Sequence, residues 1–380
     1  MRVIIDFTPV YYGGGIGVYA LNLVRSLVRL NGDLELKLIS FFPGYSRKGI
    51  ADRYGLSLKH FPLPLTPLLY AGMSTGAPLL DFFEGSGQIF HATMGLSLPT
   101  RKRVVLTIHD LTFVKYPQWV PHFIRVFYKR AVPYSLSNSG RIIVPSASTR
   151  SDLIEIFNVP SGKIRVIPLS SNFEDLHDTA KSERKSLPVP GLSCNDYFIY
   201  IGALERRKNI LNMLRAFIRF SEKFKGIKMF LVGSSKFDPS YSSKVLNFIR
   251  SFGKGNIIYR EPLDREEIYV MLKNARALVL LSHYEGFGLP VVEAMKLGVP
   301  VLASREGSLP EICGDACLFA DKDHVEDISE KLELLMDEGL RRSLSEKGRE
   351  RGKKYSWQKT ARMTLDVYRE LLELPEWPAG

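Results

Sequence analysis

The sequence predicts an α/β protein made of two doubly wound, Rossmann-like domains in tandem. Three observations lead there. Short apolar runs alternate with helical patterns along most of the chain, a glycine cluster follows the first of those runs, and a polar, proline-broken stretch near the middle interrupts the alternation. The 380 residues exceed what one hydrophobic core usually organises, and 45% hydrophobic with 24% charged residues is the mixture of a folded chain.

The first half opens with a strand at residues 2–6 and the cluster GGGIG at 13–17. A helix follows, with Leu23, Leu27 and Leu30 on one face. Strand, glycine loop and helix make the start of a doubly wound unit. Further apolar runs at 36–41, 89–92, 104–108 and 142–144 read as strands, with helical patterns at 122–137 and 148–157. The segment 170–195 is polar, charged and broken by Pro188, Pro190 and Gly191, which is linker composition. Strands then resume at 197–201, 228–232, 256–259, 277–281 and 299–303, with helices near 210–224 and 241–252 among them. A helix at 340–354 precedes one at 357–374, where Ala361, Leu365, Tyr368 and Leu372 form a stripe that needs a partner. The expected organisation is a first domain over 1–170, a linker over 171–195, a second domain over 196–356 and a last helix over 357–380, with the first domain as its candidate partner.

Composition narrows the function classes. Cys194, Cys313 and Cys317 are too few and too oddly placed for a disulfide framework, and the opening MRVIIDF has no signal core, so a cytoplasmic protein is expected. Cys313 and Cys317 lack the second ligand pair that a structural zinc needs, so no metal is expected. No run reaches the roughly eighteen apolar residues that span a bilayer. The excess of 52 Lys plus Arg over 40 Asp plus Glu, a net +12, favours anionic partners such as phosphates, nucleic acid or acidic lipid. Much of it lies on Arg341, Arg342 and the 349–354 run, where a solvated helix face and a membrane- or acceptor-facing patch are both open readings.

The most informative segment is EGFGLPVVEAMKLGVPVLAS, residues 285–304. Gly286 and Gly288 free the backbone after a strand, and Pro290 sits where the first helical turn starts. The amides from Gly286 through Phe287 and Gly288 to Leu289, with the positive end of the helix dipole, suit a diphosphate or closely approaching sugar hydroxyls. Glu285 and Glu293 flank that anion site, and carboxylates accept hydrogen bonds from paired hydroxyls, such as those of a sugar ring and a ribose. In GALERRKNI, residues 202–210, Arg207 and Lys208 follow a strand and offer fixed positive charge. In the first domain, Gly14, Gly15 and Gly17 follow the first strand where backbone can approach a phosphate or acceptor, although the cluster is not a GxGxxG. His109 ends the strand VVLTIH, and a lone histidine at such an edge is either structural or aimed at a ligand. His91, also at a strand end, reads as structural or acceptor-side.

These motifs resemble the retaining glycosyltransferases of family 4. The match is carried by the Glu285/Glu293 pair around GFGLPVV, by GALERRKNI, and by the segments at 144–153 and 304–321. The resemblance implies the GT-B fold, two Rossmann-like doubly wound domains facing across a cleft, with acceptor recognition in the first and nucleotide sugar in the second. It implies that Glu285 and the following amides contact the donor sugar, that Glu293 binds the ribose, that Arg207 and Lys208 clamp the diphosphate and that His109 faces the donor. Many relatives carry an arginine directly after the glycine where this chain has Ala203, which leaves Arg206 or Arg207 as the substitute.

The implied reaction is transfer of a sugar from a nucleotide diphosphate donor to a glycan or lipid-linked acceptor, retaining, metal-independent and without a cofactor. RKN together with EGFGLPVVEAM resembles mannosyl- and rhamnosyl-transferring relatives of surface-polysaccharide synthesis, so GDP-mannose is the preferred donor and UDP-sugars remain open. A nucleotide-sugar epimerase or a phosphorylase on the same plan, and a basic module for nucleic acid or membrane surfaces, are the alternatives. No recognisable nucleic-acid module appears, so nucleic acid is not expected as a partner. Basic and aromatic residues from Trp119 to Arg130 are the candidates for a peripheral contact at the inner membrane face.

Overall fold

The computed structural model describes residues 1–30, 34–42, 55–176 and 187–374. The chain divides into two units: Met1–Leu169 with the C-terminal segment from Trp357, and Ser170–Ser356.

The first unit is built on a seven-stranded parallel sheet. Its strands are β1 Arg2–Asp6, β2 Glu35–Phe41, β3 Leu58–Phe61, β4 Ile89–Ala92, β5 Arg103–Thr107, β6 Arg141–Val144 and β7 Ile164–Val166, in the order β3-β2-β1-β4-β5-β6-β7. The inner strands are apolar at nearly every position because helices cover both faces of such a sheet. One core cluster contains Ile4, Phe90, Leu106 and Ile142 from those strands, together with Leu69 and Leu136 from flanking helices.

After β1 the chain forms a short Pro9–Tyr12 helix that was not evident in the sequence, and then the Gly14–Arg29 helix, which buries Tyr19, Leu23 and Leu27. Gly14, placed in a phosphate-approach loop from the sequence, has φ +65 and stands with Gly15 at that helix's exposed start. Gly17 has a different use. A Cβ on it would lie 2.9 Å from the Pro9 carbonyl oxygen, so its small size lets the two helices touch.

The Trp357–Glu373 helix belongs to this first unit. Its buried stripe is Trp357, Thr360, Ala361, Thr364, Val367, Tyr368 and Leu371, whereas Leu365 and Leu372 are only half-buried. The stripe expected from the leucines is therefore rotated, because two threonines face inward. Thr364 returns its hydroxyl to the Thr360 carbonyl, and Thr360 donates to the Pro168 carbonyl. Glu370 pairs with Arg141 and Arg165, and Arg103 donates to the Leu371 carbonyl, so polar contacts pin the helix across strand ends.

The second unit carries a six-stranded parallel sheet. Its strands are β8 Tyr197–Ile201, β9 Lys228–Val232, β10 Ile257–Arg260, β11 Ala277–Leu280, β12 Val301–Ser304 and β13 Leu318–Ala320, in the order β10-β9-β8-β11-β12-β13. In both sheets the order reverses between the first strand and the fourth, at β1/β4 and at β8/β11. Crevices at the carboxyl ends beside such a reversal are where doubly wound sheets receive ligands.

The 171–195 segment, expected as a linker, is divided. Residues 170–176 belong to the second unit, where Asn172 accepts a bond from Arg265 at 2.7 Å and Glu174 pairs with Lys296 at 2.6 Å. Residues 177–186 lie outside the described residues. Cys194 is exposed and Cys313 and Cys317 are buried, all as free thiols. Among the described residues no helix is long and apolar enough to cross a membrane.

Candidate functional site

Two loops meet at the carboxyl edge of β8 and β11. After β8 the chain passes Gly202, then a single 3-10 turn at Arg206–Lys208, and Asn209 in the left-handed region leads into the Ile210–Lys223 helix. After β11 it runs through residues 281–288 into the Leu289–Leu297 helix, whose cap Gly288 has φ +93 and whose first turn holds Pro290. A Cβ on Gly288 would also strike a Leu309 methyl group at 2.8 Å, so this position needs glycine twice over. The His283 amide donates to the Arg207 carbonyl at 2.8 Å and joins the two loops.

That junction brings Arg207, Lys208 and Glu285 together. Lys208 Nζ reaches Glu285 Oε1 at 2.6 Å, and Arg207 reaches Glu285 Oε2 at 3.0 Å, the Tyr284 carbonyl at 2.8 Å and Glu205 at 2.7 Å. Ser282 donates to the same Oε1 at 2.6 Å, while Ser308 donates to the Glu285 carbonyl through both its amide and its hydroxyl. Burial alone would raise the Glu285 carboxyl, but the charges of Lys208 and Arg207, with the bonds from Lys208 and Ser282, hold it at about 2. A buried carboxylate is therefore kept ionised by one buried and one half-buried cation. Of the two arginines, Arg207 is the one turned to Glu285. Arg206 points to Asp238 at 3.5 Å with its side chain 43% exposed. Ser282 and Ser308 were not legible as site residues in the sequence, because a serine next to a strand end has no distinctive spacing.

Glu293 sits in the Leu289–Leu297 helix, buried, and accepts a 3.3 Å bond from the Asn172 amide. Burial pushes its carboxyl up to about 7, only partly offset by that bond and by the charge of Arg265. The two glutamates of one loop and helix thus differ in protonation because one has cations in contact and the other does not. Phe287, Gly288 and Leu289 form the approach to the helix N-terminus, with Phe287 buried edge-on against Tyr355. Beside Glu285, Arg207 and Lys208, these groups offer cations, an anionic hydroxyl acceptor and a helix N-terminus, which is the chemistry for binding a phosphorylated polyol.

In the first unit, His109 follows β5 and gives its Nε2–H to the Thr93 carbonyl at 2.9 Å, which leaves Nδ1 as the ring's acceptor. Tyr19 packs edge-on to the ring at 4.8 Å. Burial lowers the His109 pKa, with Thr93 and Asp110 opposing, so a neutral ring is favoured. His91 is fully buried in a polar chain: Nδ1 meets the Tyr368 hydroxyl at 2.6 Å, Nε2 meets Thr107 at 2.7 Å, and Thr107 meets Tyr19 at 3.0 Å. Burial and then His109 hold its pKa at about 3, and with both nitrogens engaged His91 is a structural residue. Asp6, at the end of β1, was not singled out from the sequence. It is 2% exposed and accepts the Thr8 amide at 3.0 Å. An acid closing an apolar strand run is the same signal that marked His109.

Residues 13–170 match Glycosyltransferase Family 4, and residues 190–351 match Glycosyl transferases group 1. The chain is 31% identical to the O-antigen chain mannosyltransferase B of Escherichia coli, over 98% of this chain and 100% of that one. It is 29% identical to the MMP alpha-(1->4)-mannosyltransferase of Mycolicibacterium hassiacum over 61% of this chain and 54% of that one. Among solved structures it resembles the Anabaena HepE protein in complex with UDP and glucose, with a TM-score of 0.78 at 14% identity, over 97% of this chain and 100% of that one.

Proposed function

The chain belongs to glycosyltransferase family 4 and has the GT-B fold, and from that premise we propose that it transfers mannose from GDP-mannose, with retention and without a metal ion, to a glycan or lipid-linked acceptor. The observation that carries the donor side is the buried cluster of Arg207, Lys208 and Glu285 at the carboxyl edge of β8 and β11, beside the N-terminus of the Leu289–Leu297 helix. The two mannosyltransferase relatives support the choice of sugar.

In this reading the diphosphate lies against Arg207, Lys208 and the amides from Gly286 to Leu289. Charge growing on the leaving phosphate is then met by fixed cations and a helix dipole, which need no reorganisation during the reaction. Lys208 uses one of its three N–H groups on Glu285, so its ammonium retains donors for phosphate oxygens. Glu285, ionised and held by Ser282, accepts hydroxyls of the transferred sugar. Glu293 accepts the two ribose hydroxyls. His109 presents a neutral ring to the donor sugar. The acceptor attacks from the face the diphosphate leaves, through an oxocarbenium-like transition state, and no carboxylate is assigned as a nucleophile. The exposed face of the His122–Ser137 helix, with Phe123, Val126, Lys129 and Arg130, is proposed to touch an anionic membrane and so meet a lipid-linked acceptor.

Calorimetry of GDP, UDP, ADP and dTDP in metal-free buffer tests the donor. GDP is expected to bind tightest, and Lys208→Ala and Glu293→Ala are expected to weaken it at least tenfold. Absence of binding by every diphosphate at millimolar concentration would end this reading. The anomeric configuration of the product, read by proton NMR, tests retention.

A further inference from the structure

The first unit pairs most of its buried carboxylates with cations. Glu84 meets Lys37 and Lys59, and Asp152 meets Lys115 at 2.6 Å. Asp6 differs. It is as deeply buried, yet among the described residues no Lys, Arg or His stands within ion-pair distance of it. Its hydrogen-bonding partner is Thr8, two residues on. An unpaired buried carboxylate is costly, and a fold retains one where something else supplies the missing donors.

Its place in the fold suggests what does. Asp6 closes β1 at the carboxyl edge, beside the β1/β4 reversal of strand order. Its own carbonyl is taken by the Thr93 hydroxyl at 2.6 Å, which fixes the backbone and leaves the carboxylate for other partners. The Pro9–Tyr12 helix that follows ends on Tyr12, a ring 56% exposed that rests edge-on against Phe42 at 5.2 Å. The Thr8 amide bond to Asp6 turns the chain directly from the strand end into that four-residue helix, so the Tyr12 ring and the carboxylate stand at the same sheet edge. In keeping with this, the Tyr12 phenol pKa is raised, first by burial and then by the negative charge of Asp6. An exposed aromatic ring beside a cation-free carboxylate is the pairing that holds a sugar. The ring covers the C–H face, and the carboxylate accepts from hydroxyls.

We propose that Asp6 binds a hydroxyl of the acceptor sugar, with the Tyr12 ring forming the face on which that sugar lies. Burial then acts as a selectivity device, because a carboxylate with no cation of its own binds a neutral polyol and repels a phosphate. The inference rests on the glycosyltransferase reading and deepens it on the acceptor side.

The test is steady-state transfer from the nucleotide sugar selected by calorimetry onto a panel of octyl glycosides of mannose, glucose, galactose and N-acetylglucosamine. Wild type is compared with Asp6→Asn, Asp6→Ala and Tyr12→Ala. Each substitution is expected to raise the glycoside KM at least tenfold, while the donor KM and the Kd of the free nucleoside diphosphate stay within twofold. Tyr12 is exposed, so its variant reports on the sugar face even where an Asp6 variant folds poorly. An unchanged glycoside KM in the folded variants, or a loss of diphosphate affinity in parallel, would overturn the proposal. A wild type that binds no nucleoside diphosphate would sink the transferase reading itself, which is a different result.

Discussion

Glu285 and Glu293 show how residue-scale environment divides one chemistry into two. Glu285 is held at about 2 against the opposing effect of burial, chiefly by the Lys208 and Arg207 charges. Its contribution to stability is therefore present above the ordinary carboxylate value of 4.5 and is lost as pH falls toward 2. Glu293, raised to about 7 by burial, behaves oppositely. Its favourable term is complete below 4.5 and lost as pH rises through 7. Glu293→Gln should accordingly raise the unfolding free energy at pH 8 by an amount on the order of 3 kcal/mol, read by urea denaturation, while the gain disappears near pH 4. On the donor reading proposed above, the same substitution should weaken GDP binding and flatten its rise between pH 6 and 8, since an ionised carboxylate is the better acceptor of hydroxyls. Calorimetry across that range checks both. Glu285→Gln leaves two cations without their carboxylate and should cost about 3–5 kcal/mol in urea denaturation. Asp6, raised to about 6 by burial, resembles Glu293, so Asp6→Asn should stabilise the protein at pH 8. The strings around Glu285, Glu293, Arg207 and Lys208 were legible because glycine, proline and charge recur at fixed distances after a strand. The choice of Arg207 over Arg206 as the inward side chain was not, because adjacent arginines differ only in how the turn at Arg206–Lys208 directs them.

At the scale of elements, the inner strands could be read directly because both of their faces are buried. The sequence reading passed over β3, β7 and β13, which are edge or near-edge strands of three or four residues with half-buried positions, and over the Pro9–Tyr12 helix. Segments that short carry too few residues for a periodicity to emerge. The C-terminal helix was legible as a helix, but its inward face was not, because threonines that satisfy their hydroxyls on nearby carbonyls look polar in sequence. Its attachment makes a prediction. Tyr368→Phe removes the hydroxyl that meets His91 at 2.6 Å and should cost about 1–3 kcal/mol, since the buried ring nitrogen loses its partner. Gly17→Ala should cost a similar amount by forcing the Pro9 carbonyl away from the Gly14–Arg29 helix. Thermal denaturation of both variants, with diphosphate binding as a control on the second unit, checks these values.

For the whole molecule, the two sheets share one winding order, so the tandem architecture could be inferred from the repetition of strand, loop and helix on either side of residues 170–195. The net charge of +12 was equally plain, but charge alone names no partner. Vesicle flotation addresses it: binding to anionic vesicles should fall in Phe123→Ser and in Lys129→Glu/Arg130→Glu, and indifference to anionic lipid would remove the membrane contact from the proposal.

The return of the Trp357–Glu373 helix to the first unit has a consequence for how the protein is made. A ribosome emits the seven strands of that unit early, yet Tyr368, the partner of buried His91, emerges only after the whole second unit. The second unit, contiguous in sequence, is complete before the first one is. During translation the first unit must wait, unfinished, with its helix-docking surface bare and open to chaperones. A premature stop near residue 356 should therefore yield a chain whose second unit resists protease while the first is digested, so that a late nonsense mutation in the gene would eliminate the first unit before the second.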